Sequence, residues 1–278
     1  MALVPAKCTQ CGGNIEVDDT HEAGICKFCG TPFVTEKAIT KDITTMKTIE
    51  EIINRHFATE KELDIIRIPP KFDFQNENQY FEVKGEMNYF VKIKKNLKKE
   101  FVNNKILEPF IRVPHIYEYN QTLDNTAEYI IEEYIDGVIV DEYTNELTMY
   151  LIGRVFGTAF NIKRQEVNLS DVFKHLNSED KQLYRKYYSG SGIDGFVLLD
   201  VEYVLSNNKE NISVIDLENC LYDDVRPYIT TYAKVFGEAF VSGFAHASNM
   251  KYDDFILSDM EEYLHIKQKV EEIERTNK

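Results

Sequence analysis

The chain has 278 residues, of which 43% are hydrophobic and 28% are charged, a composition that suits a folded protein with a large core and excludes a disordered tail. Its 47 acidic and 32 basic residues give a net charge of −15, which opposes broad binding to nucleic acids and to anionic membranes. Because no apolar run approaches the roughly 20 residues of a membrane helix and the start lacks the apolar core of a secretory signal, we expect a cytoplasmic protein of one or two domains.

Four of the five cysteines lie within the first 29 residues, as two C-x2-C pairs. In a reducing compartment such cysteines point to a metal rather than to disulfides. Each pair can wrap one side of a tetrahedral zinc ion, and the fourteen residues between the pairs return the chain to complete four thiolate ligands. Redox pairs are a weaker alternative, because they usually occur singly within a larger α/β pattern. The predicted zinc ligands are Cys8, Cys11, Cys26 and Cys29.

Residues 5–36 resemble a zinc ribbon of the transcription-factor type, which stands at the start of many bacterial proteins. Strands are predicted at Asn14–Val17 and Gly24–Cys26, paired as a hairpin, with a third strand at Pro32–Thr35. Since about thirty residues cannot bury enough surface to fold alone, metal binding supplies the folding energy of the domain at 1–36. Its net charge of −3, before the metal site is counted, favours a structural or protein-docking role over nucleic-acid binding.

A helical connector is predicted at 37–63. Four apolar residues recur at helical spacing within 48–57 and form one face of a helix, which we expect to pack on the next domain. They are Ile49, Ile52, Ile53 and Phe57. The next domain begins at residue 64, with a predicted strand at 65–68 that ends before two prolines.

The pattern from residue 78 onward predicts a β-rich region followed by a mainly helical region with a small β insertion. The β-rich region has a hairpin of two strands, one helix and two further strands, at 80–83, 89–93, 96–108, 113–119 and 129–134. The helical region has a long helix, three short strands and two more helices, at 147–162, 196–199, 201–205, 212–215, 231–244 and 252–278. This order predicts an α+β fold.

Six features occur in the order of one known fold. They are FVKIKK at 90–95 for the third strand, Glu100 on the helix after it, YIIEEYIDG at 129–137 for the hinge strand, IGRVFGTAF at 152–160 for the long helix, FVLLDVEYVLS at 196–206 for the catalytic loop and VIDLE at 214–218 for the metal-binding segment. Through them, residues 78–245 resemble the kinase-like fold of the aminoglycoside phosphotransferase and choline kinase family. The resemblance implies two lobes, a β-rich N-lobe at about 64–136 and a helical C-lobe at about 137–278.

The resemblance also implies residues that bind a nucleotide. In the family, a strand lysine contacts the α- and β-phosphates of ATP, and a glutamate on the following helix holds that lysine in place. Lys92 and Glu100 match these two residues, and Lys94, on the same face of the strand, is the alternative lysine. Asp216 matches the aspartate that ligates Mg2+, a hard cation that prefers oxygen ligands.

The catalytic aspartate of the family orients the substrate hydroxyl. Asp200 occupies this place, and Asp194 is a weaker candidate for the same role. Around Asp200 the chain departs from the family, because Leu198 and Leu199 replace a polar pair and Leu205 replaces the asparagine that holds a second metal ion. The residues that can replace this asparagine are Glu202, Asn207 and Asn208. A further departure is the segment 71–81, which stands in the place of the nucleotide loop but contains no glycine, so its backbone cannot approach phosphates in the usual way.

Three functions follow as hypotheses. The first is ATP- and Mg2+-dependent phosphoryl transfer to a small-molecule or protein hydroxyl, with weak nucleotide binding and slow or absent turnover because of the departures. The second is a pseudokinase without activity, whose ribbon and kinase-like surface bind a protein partner. The third is nucleic-acid binding through the ribbon and the basic segment 92–105, which the acidic balance of the chain opposes.

Overall fold

The computed structural model describes residues 3–8, 14–18, 23–34, 48–57, 63–69, 78–140, 145–162, 176–188 and 194–276. The chain forms two compact units. The first unit comprises Met1–Val102 and Pro114–Tyr134, and the second comprises Asn103–Val113 and Ile135–Lys278. Among the described residues, no helix is both long enough and apolar enough to cross a membrane.

The first unit begins with two small antiparallel hairpins. They are β1 (Leu3–Lys7) with β2 (Asn14–Asp18), and β3 (Ala23–Ile25) with β4 (Pro32–Val34). The predicted hairpin between Asn14–Val17 and Gly24–Cys26 is therefore wrong in its pairing, although both segments contain strands. The observed pairs are instead formed by the two strands that flank each C-x2-C segment in the sequence. The strand β1 was not predicted.

The helix α1, at 48–56, joins the hairpins to a larger sheet. Its predicted apolar face is confirmed, since Ile49, Ile52 and Ile53 are buried and Phe57 follows them into the same core. These side chains pack against strand residues of the sheet, among which are Phe81, Val83, Tyr89, Val91 and Tyr129. The connector is thus part of the core of the first unit.

The sheet of the first unit has five antiparallel strands in the order β5-β6-β7-β9-β8. Their bounds are β5 Asp64–Ile68, β6 Gln79–Lys84, β7 Asn88–Lys94, β8 Ile116–Gln121 and β9 Glu128–Glu133. The helix α2 (Lys98–Leu107) follows β7, and its residues are divided between the two units after Val102. The predicted strands and the predicted helix of this region are all confirmed within a few residues.

The second unit is mainly helical and carries two small sheets. Its helices are α3 (Glu146–Phe160), α4 (Ser178–Tyr188), α5 (Arg226–Ser248, broken at Gly237), α6 (Tyr252–Phe255) and α7 (Met260–Thr276). Its strands are β10 (Val138–Ile139), β11 (Asp194–Val197), β12 (Glu202–Leu205), β13 (Ile212–Ile215) and β14 (Leu221–Asp224). They form the sheets β10-β12-β13 and β11-β14. The sequence did not predict α4, β10 and β14, and the helix predicted at 252–278 is two helices.

The core of the second unit lies between α3, α5 and the small sheets. The two helices approach closely through glycine, since a Cβ atom on Gly243 would lie 2.0 Å from the carbonyl oxygen of Tyr150. The side chains of Phe156, Phe240 and Phe244 fill the space beside this crossing. This packing fixes the end of α3. The strand β11 lies directly against that end, since a Cβ atom on Gly195 would lie 2.2 Å from the carbonyl oxygen of Phe160. The segment that contains Asp200 follows β11.

Candidate functional site

The first unit holds a cluster of four buried charged residues on β7, β9 and α2. The Nζ atom of Lys92 lies 2.9 Å from Oε1 of Glu132 and also forms an ion pair with Glu100. The Nζ atom of Lys94 lies 3.5 Å from the other carboxylate oxygen of Glu100. All four side chains are at least nine-tenths buried. Because alternate residues of a strand share a face, both lysines face the helix that carries Glu100.

Lys92 and Glu100 keep their charges at neutral pH. Burial alone would lower the pKa of Lys92, but the negative charges of Glu100 and Glu132 outweigh it and hold this pKa above its usual range. Burial alone would likewise raise the pKa of Glu100, but the positive charges of Lys92 and Lys94 outweigh it and hold this pKa below its usual value. A lysine held charged in this way can contact phosphate oxygens.

Glu132 is a member of this cluster that sequence reasoning missed. It follows Tyr129, Ile130 and Ile131, which are fully buried in β9, and is itself only 4% exposed. A carboxylate that continues a buried strand needs a cationic partner, because an isolated buried charge is costly. The glutamate that directly follows this apolar run was therefore a signal in the sequence for a buried ion pair.

In the second unit, Asp200 and Asp216 share an uncommon backbone conformation. Their φ angles are 52° and 62°, in the left-handed region that residues other than glycine seldom adopt, although aspartate tolerates it better than most. Asp216 directly follows β13, and Asp200 lies in the segment between β11 and β12. Residues held in sparsely populated conformations concentrate at functional sites, which makes the conformation of both aspartates informative.

A second carboxylate accompanies Asp216. Each of Asp216 and Glu218 offers a carboxylate oxygen, and the two oxygens lie within 4.8 Å of one another. The intervening residue, Leu217, is buried and begins a short 3-10 turn at Leu217–Asn219. Two carboxylates at this separation can share one hard cation such as Mg2+. Glu218 was not among the predicted site residues, although it closes the VIDLE segment.

The same turn reaches Asp200. The Nδ2 atom of Asn219 lies 3.5 Å from Oδ2 of Asp200. Tyr232 on α5 also lies near Asp200. Burial, followed by the charges of Asp200 and Cys220, raises the pKa of Tyr232 to about 12. Its hydroxyl donates to the carbonyl oxygen of Leu198 at 3.4 Å. The second unit therefore brings the segment of Asp200 together with the turn that follows Asp216.

The alternative aspartate, Asp194, lies elsewhere. It is the exposed first residue of β11 and pairs in register with Asp224, whereas Asp200 follows the other end of this strand.

Leu205, in the place of the second metal-binding asparagine, is 9% exposed and pairs in register with Ile212. A leucine that packs in the core cannot replace an oxygen ligand.

The three candidate replacements for this asparagine occupy opposite ends of the β12-β13 hairpin. Glu202 is the first residue of β12 and pairs with Ile215 of β13, and Ile215 directly precedes Asp216 in the sequence. Asn207 lies in the turn at the far end, where its amide donates to Asp136 at 2.8 Å, and Asn208 lies beside it in a hydrogen bond with Ser206. Glu202 is therefore the candidate at the end of the hairpin that carries Asp216.

Three of the four predicted zinc ligands converge in the first unit. The sulfur atoms of Cys8, Cys26 and Cys29 lie within 4.8 Å of one another, and those of Cys8 and Cys29 are 3.7 Å apart. Tetrahedral zinc with Zn–S bonds of about 2.3 Å requires sulfur–sulfur distances of about 3.8 Å, so the arrangement fits this ion. The backbone N–H of Phe28 donates to the sulfur of Cys26 at 3.4 Å, and Gly30, directly after Cys29, has a φ of 69°, which glycine readily adopts.

The fourth cysteine, Cys11, lies outside the described residues, as does most of the glycine-free segment 71–81.

No protein-family model matches this chain, and no curated protein matches it. Solved structures do match its fold. The macrolide 2′-phosphotransferase MphH from Brachybacterium faecium matches with a TM-score of 0.50 and 10% sequence identity, over 81% of this chain and 88% of that chain. The Plasmodium vivax ethanolamine kinase Pv091845 matches with a TM-score of 0.50 and 14% identity, over 82% of this chain and 78% of that chain.

These likenesses concern the fold, since the sequence identities are low. They confirm the predicted architecture, in which a sheet-rich region precedes a mainly helical region in the manner of the kinase-like phosphotransferases. The order of the elements agrees with this fold as well, from the lysine strand β7 through the helix α2 to the aspartate after β13. The chain has a kinase-like fold.

Proposed function

We propose that this chain is a nucleotide- and Mg2+-dependent phosphotransferase that acts on the hydroxyl group of a small molecule. The observation that carries the proposal is the buried ion pair between Lys92 and Glu100, on the strand and helix where the family places its phosphate-contacting lysine. The two solved structures that share the fold are named as a phosphotransferase and a kinase, which supports this class of reaction. An acceptor hydroxyl on a protein is a second possibility for the same reaction.

Each charged group has a role in this proposal. Lys92 contacts the phosphates of the nucleotide, and Glu100 with Glu132 holds its ammonium group in place. Asp216 and Glu218 would hold Mg2+, which when bound neutralises charge on the phosphates. Asp200 accepts the proton of the acceptor hydroxyl. The hydroxyl oxygen forms the new bond to the γ-phosphorus, while the bond from this phosphorus to the leaving nucleoside diphosphate breaks.

A titration with a non-hydrolysable ATP analogue, with and without Mg2+, tests the proposal. We expect weak binding that strengthens with Mg2+, loss of this strengthening in Asp216→Asn, and retained binding without turnover in Asp200→Asn. The matched control is Asp194→Asn, because Asp194 is exposed and lies at the opposite end of β11. Absence of nucleotide binding, or binding that Mg2+ and Asp216→Asn leave unchanged, would contradict the proposal.

A second function is favoured by Leu205. Because this buried leucine replaces a metal-binding asparagine, the chain lacks one of the two cation ligands that the family uses for transfer. A pseudokinase that binds a nucleotide and a protein partner without transfer has the same residues. The titration separates the two functions when it is followed by an assay of ADP formation from ATP in the presence of candidate acceptors, since a pseudokinase binds the analogue but forms no ADP.

The cysteine cluster is proposed as a structural zinc site that stabilises the two small hairpins. The sulfur–sulfur distance of 3.7 Å between Cys8 and Cys29 supports it, and Cys11 is proposed as the fourth ligand. Elemental analysis should find one zinc ion per chain in the purified protein and much less in Cys8→Ser. Cys220→Ser is the control, because Cys220 lies buried in the second unit. A metal-free protein whose hairpins keep their protection from hydrogen exchange would overturn this assignment.

A further inference from the structure

One buried amide connects α2 with the turn that follows Asp216. Asn103 is 6% exposed, and its Nδ2 atom donates to the carbonyl oxygen of Leu217 at 2.7 Å and to that of Cys220 at 3.1 Å. These two carbonyl groups stand on either side of Glu218 and Asn219. Both N–H groups of a single amide are thus used to hold one turn of four residues.

The turn depends on this support because its own hydrogen bonding is weak. Its internal backbone bond runs from the N–H of Cys220 to the carbonyl oxygen of Leu217 and is 3.4 Å long, near the limit for such a bond. Short 3-10 turns have poor hydrogen-bond geometry in general. The residue before the turn, Asp216, is in the left-handed conformation, which persists only where surrounding groups impose it.

We propose that Asn103 is a positioning residue for the carboxylates that bind the cation. By fixing the carbonyl groups of Leu217 and Cys220, it keeps Glu218 at the distance from Asp216 at which both can ligate one ion. This inference rests on the proposed function, since it takes those two carboxylates as the ligands of Mg2+. It adds a residue that no motif of the sequence pointed to.

The chemistry of the contact requires an amide at this position. Two carbonyl oxygens need two N–H donors, which asparagine supplies and which the isosteric aspartate and leucine do not. In Asn103→Asp a carboxylate would face two carbonyl oxygens, and in Asn103→Leu both oxygens would lose the hydrogen bond from the amide. Groups that orient a metal ligand typically change metal affinity by about 10–100-fold when they are removed.

The experiment measures binding of Mn2+ to the full chain by electron paramagnetic resonance, in the presence of a non-hydrolysable ATP analogue. For Asn103→Leu we expect the Kd for Mn2+ to rise about tenfold or more, while the Kd for the analogue without metal stays the same. Thr230→Val is the matched control, because Thr230 is a buried residue of the same unit whose hydroxyl accepts a backbone N–H, that of Leu257. Its substitution should leave the Kd for Mn2+ unchanged.

The outcomes separate this inference from the proposed function. If the wild-type chain binds the analogue but no Mn2+, the assignment of the carboxylates fails and the inference fails with it. If the wild-type chain binds Mn2+ and folded Asn103→Leu has the same Kd, Asn103 has a role in stability alone and only the inference is overturned. Should Asn103→Leu not fold, Asn103→Ser takes its place, because its shorter side chain cannot reach both carbonyl oxygens, and a wild-type Kd in this variant would also overturn the inference.

Discussion

The candidate site residues of the two units hold their charges in opposite ways. In the first, two lysines and two glutamates neutralise one another inside the fold, and all four side chains are buried. In the second, Asp200 is exposed and Asp216 is half-buried, and both are on left-handed backbone at the ends of short strands. The difference indicates that the charges of the first set also stabilise the core of their unit, whereas those of the second set are more accessible to a ligand.

The largest effect that tests this comparison is expected in Lys92→Met. Without the ammonium group, Glu132 and Glu100 both lose their ion pair with Lys92, and Glu100 keeps the longer contact to Lys94. Breaking a buried ion pair from one side costs about 3–5 kcal/mol, because it leaves an uncompensated charge in the interior. We expect a loss of this size in the free energy of unfolding, measured by urea denaturation.

The control for this prediction is Lys105→Met on the exposed part of α2. Lys105 lies 2.9 Å from Glu108, but both side chains are about one-third exposed, so the pair should contribute less than about 1 kcal/mol. Equal losses in the two variants would remove the distinction between structural and exposed charges. A loss of several kcal/mol in Lys92→Met would also mean that lost activity in this variant does not by itself report on phosphate binding.

The first unit shows what sequence patterns can predict. The apolar spacing of 48–57 predicted the buried face of α1, and the alternation of Lys92 and Lys94 placed both on one face of β7. The pairing of β2 with β1 was not predicted, because the hairpin partner depends on which segment forms the turn and not on strand propensity. Glu132 was not predicted, because the resemblance of its segment to the hinge of a family does not show which charges are buried.

The second unit shows what such patterns do not contain. The segments of Asp200 and Asp216 were found through resemblance, but their left-handed backbone is visible only in the fold. The bonds of Asn103 to Leu217 and Cys220 join residues more than a hundred positions apart, so no local pattern could reveal them. The sequence also left open which of three residues replaces the metal-binding asparagine. Only the strand register, which places Glu202 opposite Ile215, favours one of them.

A smaller effect, in the first unit, concerns pH. Burial alone would raise the pKa of Glu118, but hydrogen bonds from Tyr129 and His56 outweigh it and hold this pKa below its usual value. A group with a lowered pKa in the folded state stabilises the protein above its ordinary pKa near 4.5, and this contribution is lost as the pH falls through the lowered value. We therefore expect Glu118→Gln to be less stable than the wild type at pH 7, by about 1.5 kcal/mol.

This difference in the free energy of unfolding should shrink as the pH is lowered from 5 to 3, because the wild-type carboxylate becomes protonated while glutamine does not change. Chemical denaturation at several pH values measures it. Glu108→Gln provides the comparison, since the side chain of Glu108 is about one-third exposed and pairs with the exposed Lys105. A difference between wild type and Glu118→Gln that stays constant down to pH 3 would show that the hydrogen bonds do not depend on the charge of Glu118.

The smallest effect on stability is expected in Asp200→Asn, although the same variant should lose turnover. Asn and Asp both tolerate the left-handed region, so the backbone at φ 52° is kept, and the contact of the exposed carboxylate with Asn219 is long, at 3.5 Å. The free energy of unfolding should therefore change by less than about 0.5 kcal/mol. Asp200→Ala should cost about 1 kcal/mol, because alanine resists this conformation. This order, with asparagine near wild type and alanine below it, would attribute the stability at Asp200 to the backbone and leave its charge for the reaction. A loss in Asp200→Asn as large as that in Lys92→Met would instead make the two sets of charges alike.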